Sequence, residues 1–262
     1  MNYREEALTA RKTVMDMIFY TQKSHIGSNL SCIDILTVLF NTADITRSLS
    51  ENEDRIIAGK GWIAASFYYF LAQKGVIDKK DLDRFCQDGE KEYIGLLEPS
   101  VNGVHCATGS IGMGLPFGTG MALAKKIKGN RGRVFVLEGD GGMQCGMTWE
   151  AVMIAAQNKL DNLVLIIDRN GLQAMGESKD IINGDDLDKK LSAFGWETEV
   201  INGHDFSEIT KALQIKPKRR PVAIIADTIK GKGVSFMENQ VKYHYCPPDA
   251  QQYEQAMKEF NE

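Results

Sequence analysis

Two polar residues at the ends of apolar runs are the strongest candidates for chemistry. Asp140 lies in the stretch GDGG at 139–142, and Asn170 lies in the stretch DRNG at 168–171. They are separated by about 30 residues, which is the length of one strand-helix-strand unit. A carboxylate and an amide oxygen suit Mg²⁺ or Ca²⁺, and Mg²⁺ commonly completes its coordination with water and substrate phosphates. The pattern therefore predicts a metal ion that holds a diphosphate group.

The glycines around Asp140 are typical of a backbone that approaches a phosphate closely. Gly139, Gly141 and Gly142 leave room for such a group, and a helix predicted to begin near Thr148 adds the positive end of its dipole. Gly-Asp-Gly is also common in turns that bind nothing. The prediction therefore depends on the pairing of two strand ends and not on this tripeptide.

Short runs rich in valine and isoleucine alternate with segments of helical periodicity. The runs lie at 133–139, 162–169 and 221–228 and are almost continuously apolar, as in parallel strands covered on both faces. The helical segments lie at 30–40, 61–75, 148–160, 185–195 and 205–214. We expect an α/β fold, a parallel sheet flanked by helices, as a single domain over residues 1–262. In such a sheet Asp140 and Asn170 should face one crevice beyond the carboxyl ends of the strands.

Composition argues against several classes of protein. The chain has 262 residues and a formal net charge of −4, which is not the balance of a nucleic-acid-binding protein. The first residues are charged and no run approaches the roughly 18 apolar residues of a membrane span, so we expect a cytoplasmic protein. Five scattered cysteines without a CxxC pair support neither a disulfide framework nor a zinc site.

Several stretches, in order along the chain, resemble the thiamine-diphosphate-binding half of transketolases. Besides the GDG and DRNG segments, they are SHIGSNLSCIDIL at 24–36, ATGSIGMGLPFGTGMALAKKIKG at 107–129, TIKGKGVSFMEN at 228–239 and YHYCPP at 243–248. Whole transketolases continue into a second half that binds the pyrimidine ring of the cofactor and supplies an activating glutamate. The resemblance therefore implies the N-terminal subunit of a split transketolase, with a C-terminal subunit as its partner in an α₂β₂ assembly.

The resemblance also implies roles for individual residues. Asp140 and Asn170 match the Mg²⁺ ligands, and the backbone carbonyl of Leu172 matches a third. Ile111 matches the aliphatic residue that packs against the cofactor. The remaining matches are the glycines that surround the cofactor, the two active-site histidines and a retained glutamate: Gly109, Gly139, Gly141, Gly142, His25, His244 and Glu150. Histidine can donate to a substrate or move protons near neutral pH, which ketol transfer requires.

Three departures from the family pattern concern the substrate. Trp62 stands where the family usually has a histidine. The position of a second family histidine falls near Gly95 or is missing, and His105 is a candidate replacement. Cys145 stands where ordinary transketolases have a glutamate shared between paired active sites. These changes favour a less polar or differently shaped substrate.

The predicted activity is transfer of a two-carbon ketol unit from a ketose donor to an aldehyde acceptor, in a specialised sugar or secondary-metabolite pathway. Two alternatives remain open from sequence. One is a thiamine-diphosphate-dependent acyloin synthase that decarboxylates an α-keto acid, and the other is a non-catalytic regulatory subunit. Release of carbon dioxide from an α-keto acid distinguishes the first alternative from ketol transfer.

Overall fold

A parallel sheet forms the centre of the molecule in the computed structural model, which describes residues 2–182, 184 and 186–262. The strands are β1 (Arg55–Ala58), β2 (Val134–Gly139), β3 (Leu163–Arg169), β4 (Leu172–Gln173), β5 (Gly176–Glu177), β6 (Glu197–Asn202) and β7 (Val222–Asp227). The sheet has the spatial order β1-β2-β3-β7-β6, and each of its neighbouring pairs is parallel. The two short strands β4 and β5 pair antiparallel with each other beyond the end of β3.

Helices cover both faces of this sheet. They are α1 (Tyr3–Thr21), α2 (Ile26–Ser31), α3 (Ile33–Thr42), α4 (Ala64–Gln73), α5 (Gly114–Lys128), α6 (Gly146–Gln157), α7 (Ser178–Ile181), α8 (Leu187–Ala193), α9 (Phe206–Leu213) and α10 (Ala250–Glu259). Single 3₁₀ segments lie at Lys79–Arg84, Gly142–Gln144 and Val241–His244. The expected α/β fold, a parallel sheet flanked by helices, is confirmed.

The three predicted strands correspond to β2, β3 and β7, each within about a residue of its expected bounds. The helix expected over 30–40 is divided into α2 and α3 at Cys32, whose backbone leaves the helical region. The helix expected over 185–195 appears as α8, and Asp185 lies outside the described residues. The strand β6 was not predicted because it is a polar, partly exposed edge strand without an apolar run.

The hydrophobic core lies on both faces of the sheet because side chains alternate along each strand. In β2, Phe135 and Leu137 pack with α1, α3 and α4, whereas Val134 and Val136 pack with α5 and α6. Continuous burial on both faces explains the unbroken apolar runs in the sequence. No helix among the described residues is long and apolar enough to cross a membrane.

Candidate active site

A cleft of about 460 Å³ lies beyond the carboxyl ends of the sheet strands. Its walls come from the segments that follow β1, β2, β3 and β7, together with the loop before α5 and the loop before α2. Most of the residues predicted from sequence line this one cleft: His25, Trp62, Gly109, Ile111, Gly139, Asp140, Gly141, Gly142, Asn170, Leu172 and His244. The topology of the parallel sheet places them together, as expected for ligand sites in such folds.

Asp140 and the turn after β3 are in direct contact. The carboxylate Oδ2 of Asp140 accepts a hydrogen bond from the amide of Gly171 at 3.0 Å. The side-chain oxygen of Asn170 accepts from the amide of Leu172 at 3.1 Å, which holds the turn in shape. Burial and, after it, the negative charge of Asp168 raise the pKa of Asp140 to about 6. A divalent cation beside this carboxylate would relieve both effects, so the site fits a metal ion.

The predicted ligand set contains a single carboxylate. Within 2–182, 184 and 186–262 there is no group of three or more His, Cys, Asp or Glu side chains that could hold a metal ion. The set of Asp140, Asn170 and the Leu172 carbonyl is not such a group, since two of its three donors are neutral oxygens. Mg²⁺ accepts this arrangement when phosphate and water complete its shell.

Sequence reasoning missed a buried ion pair beneath this turn. The ammonium group of Lys60 pairs with the carboxylate of Asp168, which also accepts from Ser31 Oγ at 2.6 Å and from the Thr228 hydroxyl. Burial acts to lower the pKa of Lys60, but Asp168 raises it overall, so the lysine stays charged. The pair fixes the ammonium group of Lys60 at the floor of the cleft, where Asp168 balances its charge. Its partners lie more than one hundred residues apart in sequence, so no local pattern reveals it.

Lys230, which follows β7, supplies a second buried cation. Its side chain is only 1% exposed. The ammonium group lies 3.0 Å from Ser28 Oγ and 3.3 Å from His244 Nδ1. Burial, followed by the charge of Lys60, lowers the pKa of Lys230 to about 8. A diphosphate in the cleft would be stabilised by both lysines and would in turn favour the charged form of Lys230.

Aromatic rings form the mouth of the cleft. The imidazole of His25 stacks on the indole of Trp62 at 4.5 Å between centroids and meets the ring of His244 edge-on at 4.9 Å. The indole Nε1 of Trp62 donates to the carbonyl of Gly109 at 3.1 Å, which fixes the orientation of the ring. Burial, followed by the charge of Lys230, lowers the pKa of His25 to about 4 and that of His244 to about 3. Both histidines are therefore neutral at pH 7 and serve as hydrogen-bonding groups.

A side-chain amide next to the glycine turn lacks a partner. Among the described residues, Gln173 Nε2 is buried without a hydrogen bond. The same side chain borders Gly141 and lines the cleft. An unsatisfied buried donor costs free energy, and an acceptor oxygen from a ligand removes that cost. Gln173 is therefore a further residue that fits a phosphate ligand.

Two predicted residues lie elsewhere. Glu150 is exposed on α6 and does not line the cleft, because α6 runs away from the carboxyl edge of the sheet. His105 is partly buried outside the cleft, and burial, then the charges of Arg55 and Lys125, lower its pKa to about 4.

Comparison with known proteins identifies the family. The family described as "Transketolase, thiamine diphosphate binding domain" matches residues 3–261. The chain belongs to the transketolase family. An apulose-4-phosphate transketolase subunit of Phocaeicola vulgatus is 35% identical over 261 residues, covering 96% of this chain and 91% of that protein. The 6-deoxy-6-sulfo-D-fructose transketolase subunit SqwG of a Clostridium species is 30% identical over 265 residues, covering 99% of this chain and 96% of that protein.

A solved transketolase has the same fold. The enzyme of Campylobacter jejuni superposes with a TM-score of 0.91 at 31% identity, covering all of this chain and 43% of that chain. The chain is thus a transketolase-like transferase subunit that contains the thiamine-diphosphate-binding domain. Full-length transketolases contain more than twice its length, whereas the two relatives named as subunits are of similar length.

Proposed function

We propose that this chain binds thiamine diphosphate through Mg²⁺, or Ca²⁺, as one subunit of an enzyme that moves a two-carbon ketol unit from a ketose to an aldehyde. The observation that carries the proposal is the contact between Asp140 and the turn at 170–172, because it brings all three candidate metal ligands to one edge of the cleft. The cofactor, when bound, supplies the electron sink for the reaction. The protein supplies binding, orientation and proton transfer.

The floor of the cleft provides the binding groups. Asp140, Asn170 and the Leu172 carbonyl hold the metal, while Lys60, Lys230 and Gln173 offer charge and a free donor to the diphosphate. The glycines at this edge, Gly109, Gly139, Gly141 and Gly142, line the cleft without side chains, so the diphosphate can approach the backbone. Ile111 is 51% exposed in this chain, so a cofactor and a partner subunit can cover it.

The mouth of the cleft provides the groups that face the substrate. His25 and His244 are neutral and adjacent, so they can donate to a substrate hydroxyl or accept a proton from it. Trp62 covers one face of His25 and leaves that wall less polar than an imidazole would. We therefore favour a donor or acceptor sugar that differs from the central pentose phosphates, in a specialised pathway. The names of the two subunit relatives, which refer to apulose 4-phosphate and a sulfofructose, support this choice.

A second subunit would complete the active site with the pyrimidine-binding half and its activating glutamate. The large apolar side chains exposed around the cleft rim and along α5 and α6 include Ile111, Phe117, Ile127, Met147, Met153 and Ile154. Such a patch is typical of a protein interface. We propose an α₂β₂ heterotetramer in which α6, the helix that carries Glu150, pairs with its copy. Glu150 would then lie at the interface rather than in the cleft of its own chain.

The test is a screen of the purified chain together with a candidate second subunit, with thiamine diphosphate and Mg²⁺ present. Ketose phosphates, unphosphorylated ketoses and α-keto acids serve as donors, with several aldehydes as acceptors. Ketol transfer without release of carbon dioxide supports the proposal. Release of carbon dioxide from an α-keto acid, with no transfer from any ketose, would contradict ketol transfer and support acyloin synthesis.

A further inference from the structure

Glu138 places a carboxyl group in an otherwise apolar strand. It is the residue before the end of β2, and it is 1% exposed. Its register partner in β3 is Ile167, so the neighbouring strand offers no polar side chain at this position. A buried carboxyl group is costly unless hydrogen bonds or an opposite charge compensate for the water it loses.

One end of this carboxyl group meets the start of α5. The amide of Leu115 donates to Glu138 Oε1 at 3.2 Å. Met113, at the N-cap position of α5, makes no side-chain capping bond. Glu138 thus satisfies one of the free amides in the first turn of a 15-residue helix, where a negative charge is also favoured by the helix dipole.

Three glycines from separate parts of the chain enclose the same carboxyl group. A Cβ atom added to Gly59, Gly114 or Gly142 would come within 3.0 Å of a Glu138 side-chain oxygen. For Gly59 and Gly142 the nearest atoms all belong to Glu138, so its side chain alone excludes a larger residue there. None of these three glycines has a positive φ, so backbone strain does not explain them.

Each glycine belongs to a different segment of the cleft. Gly59 begins 59–62, which carries Lys60 and Trp62. Gly114 lies in 109–115, which carries Gly109 and Ile111, and Gly142 ends 139–142, which carries Asp140. We call 59–62, 109–115 and 139–142 the three cleft segments. They come together around one side chain.

We propose that Glu138 is a positioning residue whose carboxyl group sets the spacing of the three cleft segments. It acts through the backbone of these segments and need not touch the substrate. This inference rests on the proposed function in that it takes the cleft to be the thiamine diphosphate site. Removing the carboxyl group loosens all three segments together, while an isosteric amide, which keeps the acceptor for Leu115, holds them in place.

Hydrogen exchange of the free chain tests the proposal without any ligand. In Glu138→Ala, amides in all three cleft segments should exchange about tenfold faster or more, with β3 and β7 unchanged. Glu138→Gln should stay within about threefold of wild type. Faster exchange at Leu115 and its neighbours alone would reduce Glu138 to a helix cap and overturn the proposal.

A reciprocal substitution tests the steric part. Gly59→Ala should lower the thermal midpoint in the wild-type background, and this penalty should fall by at least about half in the Glu138→Ala background, because contacting residues are not additive. Gly118→Ala is the matched control. Gly118 lies on α5 one turn after Gly114, and a Cβ added there would meet Val136 instead of Glu138. Its penalty should be the same in both backgrounds. An equal Gly59→Ala penalty in both would contradict the proposal.

Calorimetry with thiamine diphosphate and Mg²⁺, with the second subunit present, separates this inference from the function it rests on. Glu138→Ala should raise the Kd about tenfold or more, Glu138→Gln should restore it to within about threefold, and Gly118→Ala should leave it unchanged. If wild type binds and Glu138→Ala binds equally well, the positioning role is wrong. If wild type binds no cofactor, the proposed function fails, and the exchange data still decide whether Glu138 spaces the segments.

Discussion

Among single residues, Asp140 allows the most direct prediction. Asp140→Ala should raise the Kd for thiamine diphosphate in the presence of Mg²⁺ by at least about a hundredfold, because it removes the charged member of the metal ligand set. The fold should survive, since this carboxylate contributes no apolar contact to the core and its pKa is already raised by burial. Isothermal titration calorimetry gives the affinity, and thermal unfolding checks the fold.

The control for this prediction is Asp161→Ala. Asp161 precedes β3 at the opposite edge of the sheet and pairs only loosely with Lys126, at 3.6 Å. Its loss should change the cofactor Kd less than about twofold. Equal cofactor Kd values in wild type and Asp140→Ala would show that the metal-diphosphate site does not lie at the carboxyl edge of the sheet.

Trp62 offers a second prediction about a single side chain. Trp62→His replaces the indole that stacks on His25 and bonds to Gly109. With the second subunit present, the ratio of kcat/KM for ordinary sugar phosphates to that for the preferred substrate should rise about tenfold, because a polar donor returns to the mouth of the cleft. Cofactor affinity should change less than about threefold, since Trp62 is not a metal ligand. Unchanged ratios across the donor panel would leave Trp62 with a packing role.

Among structural elements, the segment after β7 depends on a buried polar network. His204 Nε2 accepts from the amide of Ile229 at 2.9 Å, so its proton lies on Nδ1, which bonds to Asp34 Oδ2 at 2.8 Å. Asp34 is also paired with the guanidinium of Arg11 at 2.7 Å. The network joins α1 and α3 to the residue that precedes Lys230.

Loss of His204 should therefore displace Lys230. We expect His204→Phe to raise the cofactor Kd about tenfold, because the Ile229 amide loses its acceptor. His204→Gln, whose side-chain oxygen can accept from the same amide, should recover most of the affinity. The two variants are compared by calorimetry. Equal Kd values for His204→Phe and wild type would show that other contacts hold this segment without the imidazole.

For the whole molecule, the proposed assembly predicts that the chain alone has no activity. The pyrimidine ring of the cofactor needs a second protein surface, and the exposed apolar side chains of α5 and α6 need covering. Addition of the second subunit should restore ketol transfer and give a mass of two copies of each chain by light scattering. Steady turnover by this chain, with no other polypeptide detectable by mass spectrometry, would disprove the split enzyme.

Folding stability should also fall in mild acid. Burial lowers the pKa of His105 to about 4, whereas an unfolded histidine binds a proton near pH 6.5. Below about pH 6.5 the unfolded chain binds protons that the native chain does not, so this contribution is complete above pH 6.5 and is lost as pH falls towards 4. Between pH 7.5 and pH 5 the free energy of unfolding, measured in urea, should fall by about 2 kcal/mol less in His105→Gln than in wild type. An identical decrease in both proteins would contradict this burial effect.

The sequence alone determined the three central parallel strands, β2, β3 and β7, and the edge at which the chemistry lies. Strand composition reflects burial on both faces, and a residue that follows a strand must lie at its carboxyl end. Asp140 and Asn170 could therefore be placed together from the strand pattern by itself. The histidines, Ile111 and the transketolase assignment came from motifs, which are also local features of the chain.

Only the tertiary structure revealed the contacts that complete the cleft. Lys60 meets Asp168 across 108 residues of sequence, and Lys230 meets Ser28 across 202. Glu138 interrupts the apolar run of β2, and only the structure shows that Gly59, Gly114 and Gly142 surround its carboxyl group. Conversely, Glu150, which matches the family motif, and His105, the candidate replacement for a family histidine, lie outside the cleft. Local patterns record the periodicity and burial of each element, whereas contacts between distant side chains depend on how those elements pack in three dimensions.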